Sequence, residues 1–415
     1  MNKTEQQAIF SRPLLEWYRR SKRRLPWRET KDPYAIWISE VMLQQTRVET
    51  VIPYYQRFME KFPTVEALAG APEEEVLKAW EGLGYYSRAR NLQAAVREVH
   101  ERYGGVVPAE PEAIASLKGV GPYTAGAILS IAYNRPEPAV DGNVMRVLSR
   151  FFLIEEDIAK GKTRKFIEDL ARRLIPAGEA GDFNQALMEL GATVCTPRSP
   201  HCLTCPVLRD CAARLAGREE SLPVKTKAKP PRPERRVAAL IYGAGDWRGR
   251  FLIRQRPAEG LLARMWELPH YEAPAARMPD AGSSPEEGGA ASTGAAAGGA
   301  ADIRASRAAE DGRNMRFLRE RIAEEEGLTV EPLGWLLDAE HTFSHLRWEL
   351  NVYLCEASAA VPPFAPLPAG CRWIGWDELG NYAFPNVFRK ILRAAAPEDS
   401  RTAVRRPRKR EGVEQ

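Results

Sequence analysis

The sequence predicts two domains, an all-α first half followed by an α+β second half, and three observations support this. Residues 1–215 are dense in helical signals, with 3.6-residue apolar periodicity and little β-branched alternation. A basic, proline-rich stretch at 225–233 then breaks the pattern. Beyond it, alternating β-branched segments appear beside a helical signal. At 415 residues the chain is long enough for two separate cores.

In the first half, segments 64–69 and 72–80 have cap-like starts and periodic apolar positions. Gly82, Gly84, Gly104, Gly105, Gly119 and Gly121 separate successive helices. Residues 216–235 read as an interdomain linker. Strands are expected at 237–242, 250–255 and 348–355, and a helix at 315–326, in a second domain spanning 236–395. Residues 273–311 are rich in Ala, Gly and Pro, too poor in apolar surface to pack, and are expected to form a disordered insertion. A basic tail at 396–415 is expected to be disordered as well.

The net charge of +5 permits a polyanionic partner without demanding one. No apolar run approaches the roughly 20 residues that span a bilayer, and residues 1–24 lack the apolar core of a signal peptide. A cytoplasmic protein with no membrane association is expected. Four of six cysteines crowd together as Cys195-x6-Cys202-x2-Cys205-x5-Cys211. In a reducing compartment, clustered thiols read as metal ligands rather than disulfides. Ligand count alone leaves a cubane iron–sulfur centre and a structural zinc site both open.

Three further segments carry chemistry. Leu117-Lys118-Gly119-Val120-Gly121-Pro122-Tyr123-Thr124-Ala125 reads as a helix–hairpin–helix turn. Gly119 and Gly121 allow a tight loop with outward amides, and the following helix start completes an anion site suited to a DNA phosphate. Asp141, about twenty residues on, stands at an apparent helix start; alone it reads as a plain N-cap. Glu40 lies in a helix flanked by Ile36, Trp37, Leu43 and Gln44. An acid in such surroundings resists ionisation and can donate a proton near neutral pH.

These motifs, with Leu25-Pro26-Trp27-Arg28 and Gly82-Leu83-Gly84-Tyr85-Tyr86-Ser87-Arg88-Ala89-Arg90, resemble the adenine DNA glycosylase (MutY) family of the endonuclease III superfamily over most of residues 7–215. The resemblance implies an all-α helix–hairpin–helix glycosylase domain at 1–215. Residues 26–133 would form a six-helix barrel, and 1–25 with 134–215 a subdomain holding a [4Fe–4S] cluster on the four cysteines. It implies a nucleoid-associated monomer acting on duplex DNA that contains 8-oxoguanine:A or G:A mispairs. Glu40 and Asp141 become the catalytic pair, with Tyr123 and Asn143 supporting them. Arg28, Leu43, Val48 and Gln185 become walls of the adenine pocket, while Gln45, Thr46, Leu83 and Tyr85 approach the opposite base. Glycosylase-lyases of the superfamily carry a nucleophilic lysine where this chain has Tyr123, and a phenol forms no Schiff base, so little or no lyase activity is expected.

In the second half, Trp266-Glu267-Leu268-Pro269 and residues 322–328 resemble a Nudix fold. The box that binds Mg²⁺ is broken: Glu320-Arg321 inverts the usual pair, and Glu324 and Glu325 read as an exposed helix face. His341-Thr342-Phe343-Ser344-His345 resembles the family's Phe-Ser-His loop. That likeness implies that Phe343 wedges into the base stack while Ser344 and His345 bond the oxidised base. Three rival readings remain: a bifunctional endonuclease III-type glycosylase and AP lyase on oxidised pyrimidines, a catalytically dead lesion-binding scaffold, and a Nudix hydrolase of free nucleotides. Tyr123 and Glu40 oppose the first, the two carboxylates the second, and the broken box the third.

Overall fold

The computed structural model describes residues 2–227, 229–274, 298–358 and 367–398. The chain divides into two units, Met1–Ala228 and Lys229–Gln415. Among the described residues, no helix is long and apolar enough to cross a membrane.

The first unit is helical throughout. The Pro33–Leu43 helix is apolar on nearly every side, and the fold buries it from Tyr34 to Met42. The Asp32 carboxylate caps its start, accepting from the backbone of Tyr34 at 3.1 Å and Ala35 at 3.3 Å. This central helix packs against the Val48–Lys61, Ser87–Tyr103 and Pro122–Ile131 helices. The Thr64 hydroxyl caps the Val65–Gly70 helix through the amide of Ala67 at 3.2 Å. A second core joins chain regions remote in sequence. Phe10, Leu14, Leu15 and Tyr18 pack among apolar residues of the Gly142–Phe151, Gly161–Leu174 and Ala180–Thr193 helices. The N-terminal helix Arg12–Ser21 is amphipathic and lays that stripe against them.

The second unit is a mixed sheet covered on both faces. Its strands are β1 (Arg232–Tyr242), β2 (Phe251–Gln255), β3 (Trp266–Glu267), β4 (His270–Glu272), β5 (Val330–Thr342), β6 (Leu346–Ala357) and β7 (Cys371–Ile374). Their order is β3-β2-β1-β6-β5, with β4 pairing β1 and β7 pairing β2. β1 runs parallel to β6, and the other pairs are antiparallel. Period-two alternation splits β1 between two cores. Ala238 and Leu240 face Val387, Phe388 and Ile391 of the Asn386–Ala395 helix. Val237, Ala239 and Ile241 face Leu318 and Ile322 of the Gly298–Glu326 helix.

Two expectations need correction, and one strand went unforeseen. The linker proposed at 216–235 is in large part structured. Leu222 is buried, and its carbonyl accepts from Arg150 Nε at 2.9 Å. Val224 accepts from the amide of Ile158 at 3.0 Å, and residues 232–235 already belong to β1. Polar side chains hid this strand because ladder pairing with β6 uses only backbone. The insertion expected over 273–311 ends sooner, since the helix begins at Gly298 and not near 315. Ala305, Ala308 and Ala309 favour helix, and Arg307 ties it to Asp338 at 3.2 Å. Residues 275–297 of that insertion lie outside the described residues, as does 399–415 of the expected tail. β5 escaped the sequence pattern entirely. Its bulges at Pro332/Gly334 and Trp335/Leu337 break the alternation that marks a strand.

Candidate active site

Glu40 sits in the last turns of the buried central helix, and its carboxylate has one strong partner. The Tyr123 hydroxyl donates to Glu40 Oε2 at 2.5 Å. Tyr123 reaches it from the first turn of the Pro122–Ile131 helix, which packs closely because Ile36, Ala127, Ile131 and Ala139 interlock. The Tyr123 hydroxyl also lies 3.4 Å from Met188 Sδ. Burial pushes the Glu40 carboxyl up to about 7; the Tyr123 bond opposes this, the Asp141 charge adds to it, and Arg28 opposes it. Burial also raises the Tyr123 phenol well above its usual value, with the charges of Glu40 and Asp141 adding to the effect. Tyr123 therefore stays a neutral donor.

Asp141 is the N-cap of the Gly142–Phe151 helix. Its Oδ1 accepts from the amide of Val144 at 2.8 Å, and its Oδ2 from Asn143 Nδ2 at 2.7 Å. Burial raises its carboxyl, while these donors and Arg146 pull the other way. The plain N-cap reading and a catalytic reading thus coexist in one side chain. Asn143 is in turn fixed by Arg146, whose Nη2 donates to Asn143 Oδ1 at 2.8 Å and to the Gly191 carbonyl at 2.9 Å. A Cβ at Gly191 would stand 2.6 Å from that of Asn143, so the Ala180–Thr193 helix approaches here only because the position is glycine.

Arg28 and Gln185 lie on the same unit. Arg28 Nη2 donates to Glu189 Oε2 at 2.7 Å and its Nη1 to the Arg23 carbonyl at 3.0 Å. Arg23 Nε donates to the other oxygen of Glu189 at 2.8 Å. Burial would raise the Glu189 carboxyl, but bonds to Arg23 and Arg28 prevail and hold it down at about 2. Gln185 is buried, and its amide donates to the Gly181 carbonyl at 3.2 Å. Leu43 closes the central helix and Val48 opens the next, both half-buried.

Gln45 and Tyr85 are exposed, and both take left-handed backbone, φ 58° and 47°, that non-glycine residues rarely adopt. Leu83 is buried and Thr46 half-buried. At the hairpin, Gly119 has φ 76°, and a Cβ there would stand 2.7 Å from the Asn91 side chain. Gly121 is the N-cap of the Pro122–Ile131 helix, without a side-chain cap. Both glycines are exposed.

The four cysteines line one cavity together with Arg150 and Arg214. Arg150 Nη1 approaches Cys195 Sγ at 3.3 Å and donates to the Thr196 carbonyl at 2.7 Å. Among the described residues, no group of three or more His, Cys, Asp or Glu side chains is arranged to hold a metal ion. Four convergent thiols beside two guanidinium groups suit an anionic thiolate centre, a charge that an iron–sulfur cluster and a tetrathiolate zinc ion would both carry. Arg146 and Arg150 occupy one face of the Asp141 helix. Arg146 Nε also donates to the Cys195 carbonyl at 2.8 Å, so the cysteine loop is anchored on the helix that Asp141 caps.

Sequence reasoning missed the partners of these groups: Arg146, Glu189, Met188 and Arg88. Most act on backbone atoms or on residues far away in the chain, which leaves no local pattern to read.

In the second unit, Phe343-Ser344-His345 is the hairpin loop between β5 and β6, closed by a bond from the Phe343 amide to the Leu346 carbonyl at 2.7 Å. Ser344 and His345 are exposed at its tip. Phe343 instead packs edge-on against Trp348, ring centroids 4.9 Å apart, and against His341 at 4.6 Å. The carboxylates near the broken box are engaged by arginines. Arg254 binds Glu267 at 3.0 Å, Glu325 at 3.4 Å and Glu326 at 2.5 Å, and Arg256 binds Glu267 at 2.6 Å. Glu324 is exposed and paired with Arg321 at 3.0 Å.

Comparison with known proteins agrees with this geometry. Residues 38–173 match the model of the HhH-GPD superfamily base excision DNA repair protein, and residues 238–394 that of the NUDIX domain. The adenine DNA glycosylase of Rattus norvegicus is 36% identical, the match covering 93% of this chain and 78% of that protein. Those of Mus musculus and Homo sapiens are each 35% identical, the matches covering 98% and 93% of this chain and 81% and 74% of the relatives. A helical unit whose buried acid feels the charge of a helix-capping carboxylate, followed by a Nudix-like sheet and matched over nearly its whole length by relatives 35–36% identical, places the chain in the adenine DNA glycosylase family.

Proposed function

We propose that this enzyme hydrolyses the N-glycosidic bond of adenine mispaired with 8-oxoguanine or guanine in duplex DNA, as a monofunctional glycosylase. The observation that carries the reading is Glu40, held near neutral pKa and bonded by Tyr123 within reach of the Asp141 charge. A stacked adenine is inaccessible, so the base is first extruded into a pocket walled by Arg28, Leu43, Val48 and Gln185. Protonated Glu40 gives its proton to N7 of that base. The C1′–N9 bond then breaks with its electron pair leaving on adenine. Positive charge develops on the deoxyribose and is met by the Asp141 carboxylate, kept oriented by Asn143 and the Val144 amide. Water then adds at C1′ and passes a proton to the Glu40 carboxylate left by the first step, yielding an abasic site, free adenine and a reprotonated acid.

Gln45, Thr46, Leu83 and Tyr85 would face the gap and the opposite base. The amides at Gly119 and Gly121 would hold a backbone phosphate. Ser344 and His345 would bond the oxidised guanine, while Phe343 would leave Trp348 to enter the stack. The four cysteines would hold a [4Fe–4S] cluster. When bound, that cluster supplies a fixed, redox-capable centre that cross-links the segment around it, outside the excision chemistry. The enzyme is read as a monomer.

Single-turnover cleavage of duplexes pairing adenine with 8-oxoguanine, guanine or thymine tests the reading. Excision is expected opposite 8-oxoguanine and guanine and negligible opposite thymine. Glu40→Gln is expected to bind the lesion duplex without releasing adenine, and near-normal release by that variant refutes the assignment. Borohydride trapping on abasic DNA should give no covalent adduct, whereas an efficient adduct favours the lyase reading.

A further inference from the structure

The loop after the central helix, carrying Gln45, and the loop carrying Tyr85 are about forty residues apart in sequence, yet one side chain binds both. Arg88 Nη1 donates to the carbonyls of Val41 at 2.7 Å, Met42 at 3.1 Å and Gln44 at 2.6 Å. Its Nη2 donates to the Gly84 carbonyl at 3.1 Å and lies 3.4 Å from both the Leu83 carbonyl and Thr46 Oγ1. The guanidinium also lies over the rings of Trp80 and Tyr85, at 5.4 and 5.7 Å.

Physically this is an unusual use of a half-buried cation. Each of these acceptors is neutral, so the charge is stabilised by carbonyl dipoles rather than by a carboxylate. Three of those carbonyls end the Pro33–Leu43 helix, where a cation is favoured by the unpaired C-terminal acceptors. The other two belong to the loop that places Tyr85. Gln45 and Tyr85 both hold left-handed backbone, a conformation that persists only where surrounding contacts impose it.

We infer that Arg88 is a positioning residue that sets the separation of Gln45 and Tyr85 and thereby the enzyme's grip on the base opposite the extruded adenine. This rests on the reading that those two residues face that base. Only the planar five-donor fork reaches both loops at once; a lysine ammonium with three donors at one point cannot. Arg88 touches no reacting atom, so the proposal separates binding from chemistry.

The test uses the full-length enzyme, a duplex with 2′-fluoro-2′-deoxyadenosine opposite 8-oxoguanine for affinity, and the ordinary 8-oxoguanine:A duplex for single-turnover rate. Arg88→Lys is expected to weaken affinity about tenfold, as is Tyr85→Ala. In the double variant the two losses are expected not to multiply, with Arg88→Lys adding less than threefold. At saturating enzyme, the Arg88→Lys rate and its alkaline pH midpoint are expected to stay within threefold and within half a pH unit of wild type. Multiplicative losses, unchanged affinity, or a shifted pH midpoint each overturn the clamp. Gly84→Ala strains the same loop at φ 74° while leaving the guanidinium in place; it is expected to weaken affinity at unchanged rate even if Arg88→Lys does not fold, and wild-type affinity there overturns the proposal too. Failure of the wild type to excise adenine would instead refute the functional reading itself.

Discussion

Replacing Tyr123 with phenylalanine removes one hydroxyl from the proposed reaction centre and leaves the ring that fills the space. In the wild type that hydroxyl donates to Glu40 at 2.5 Å and opposes the upward push of burial on the carboxyl, which settles at about 7. A hydrogen bond to a charged acceptor contributes about 1.5–3 kcal/mol. With about 1.4 kcal/mol per pH unit, Tyr123→Phe should raise the Glu40 carboxyl by roughly one to two units. With Glu40 as the proposed general acid, which must be protonated to act, wild-type excision should fall as pH rises through about 7, and the variant's fall should come at about 8 to 9. Below its optimum, activity should decline as Asp141 becomes protonated, a limb the substitution leaves nearly in place. The assay is the single-turnover rate against pH on an 8-oxoguanine:A duplex at saturating enzyme. An alkaline midpoint that stays at 7 or moves down refutes the role assigned to the Tyr123–Glu40 pair. The same residue carries a stability signature. A carboxyl raised by folding favours the protonated form, so its contribution is present below about 4.5 and lost as pH rises through about 7; Glu40→Gln should flatten that part of the stability–pH curve.

Three other outcomes follow from the structure. Glu189→Gln breaks a buried acid held by Arg23 and Arg28; because Arg23 is about one-third exposed, the loss should be about 2 kcal/mol at pH 7, less than for a fully buried pair. Denaturant unfolding should show that difference shrinking as pH falls from about 4.5 toward about 2, where the wild-type carboxylate itself protonates. Ser344→Ala with His345→Ala should reduce the preference for 8-oxoguanine:A over G:A while leaving G:A excision nearly unchanged; an unaltered ratio of rates removes the loop from recognition. Cys205→Ala should remove the visible absorbance of the purified enzyme and lower its melting temperature by several degrees, whereas Cys371→Ala, a thiol hydrogen-bonded to Glu326 at 3.0 Å in the other unit, should leave the absorbance intact.

Much of this was written locally in the chain, and the rest was not for identifiable reasons. Glu40, Tyr123, Asp141 and the cysteines each stand in a short contiguous motif, because a helix start, a tight turn and a chelating loop are local structures. Arg88 sits inside such a motif, but its acceptors are carbonyls, and backbone carries no residue identity to recognise. Glu189 reads as an ordinary helical glutamate until the N-terminal segment folds back to bring Arg23 and Arg28 to it. In the second unit, β5 is disguised by bulges, and β1 by charged residues at 232–236 that only the parallel partner β6 organises. Glycines at the helix start, Gly298 and Gly299, concealed a helix that begins well before the apolar positions Leu318 and Ile322.

Both oxygens of Asp141 are already spoken for, one by the Val144 amide and one by Asn143. Fraying of the first turn at Gly142 would therefore disarm the enzyme before any global unfolding, since the anion and the helix origin are the same atoms. Thermal inactivation should then track hydrogen exchange at the Val144 amide more closely than loss of overall helicity. On the proposed mechanism, the bonds that begin this helix are also the ones that aim the charge meant for the sugar, so correct helix initiation and correct charge placement are one event.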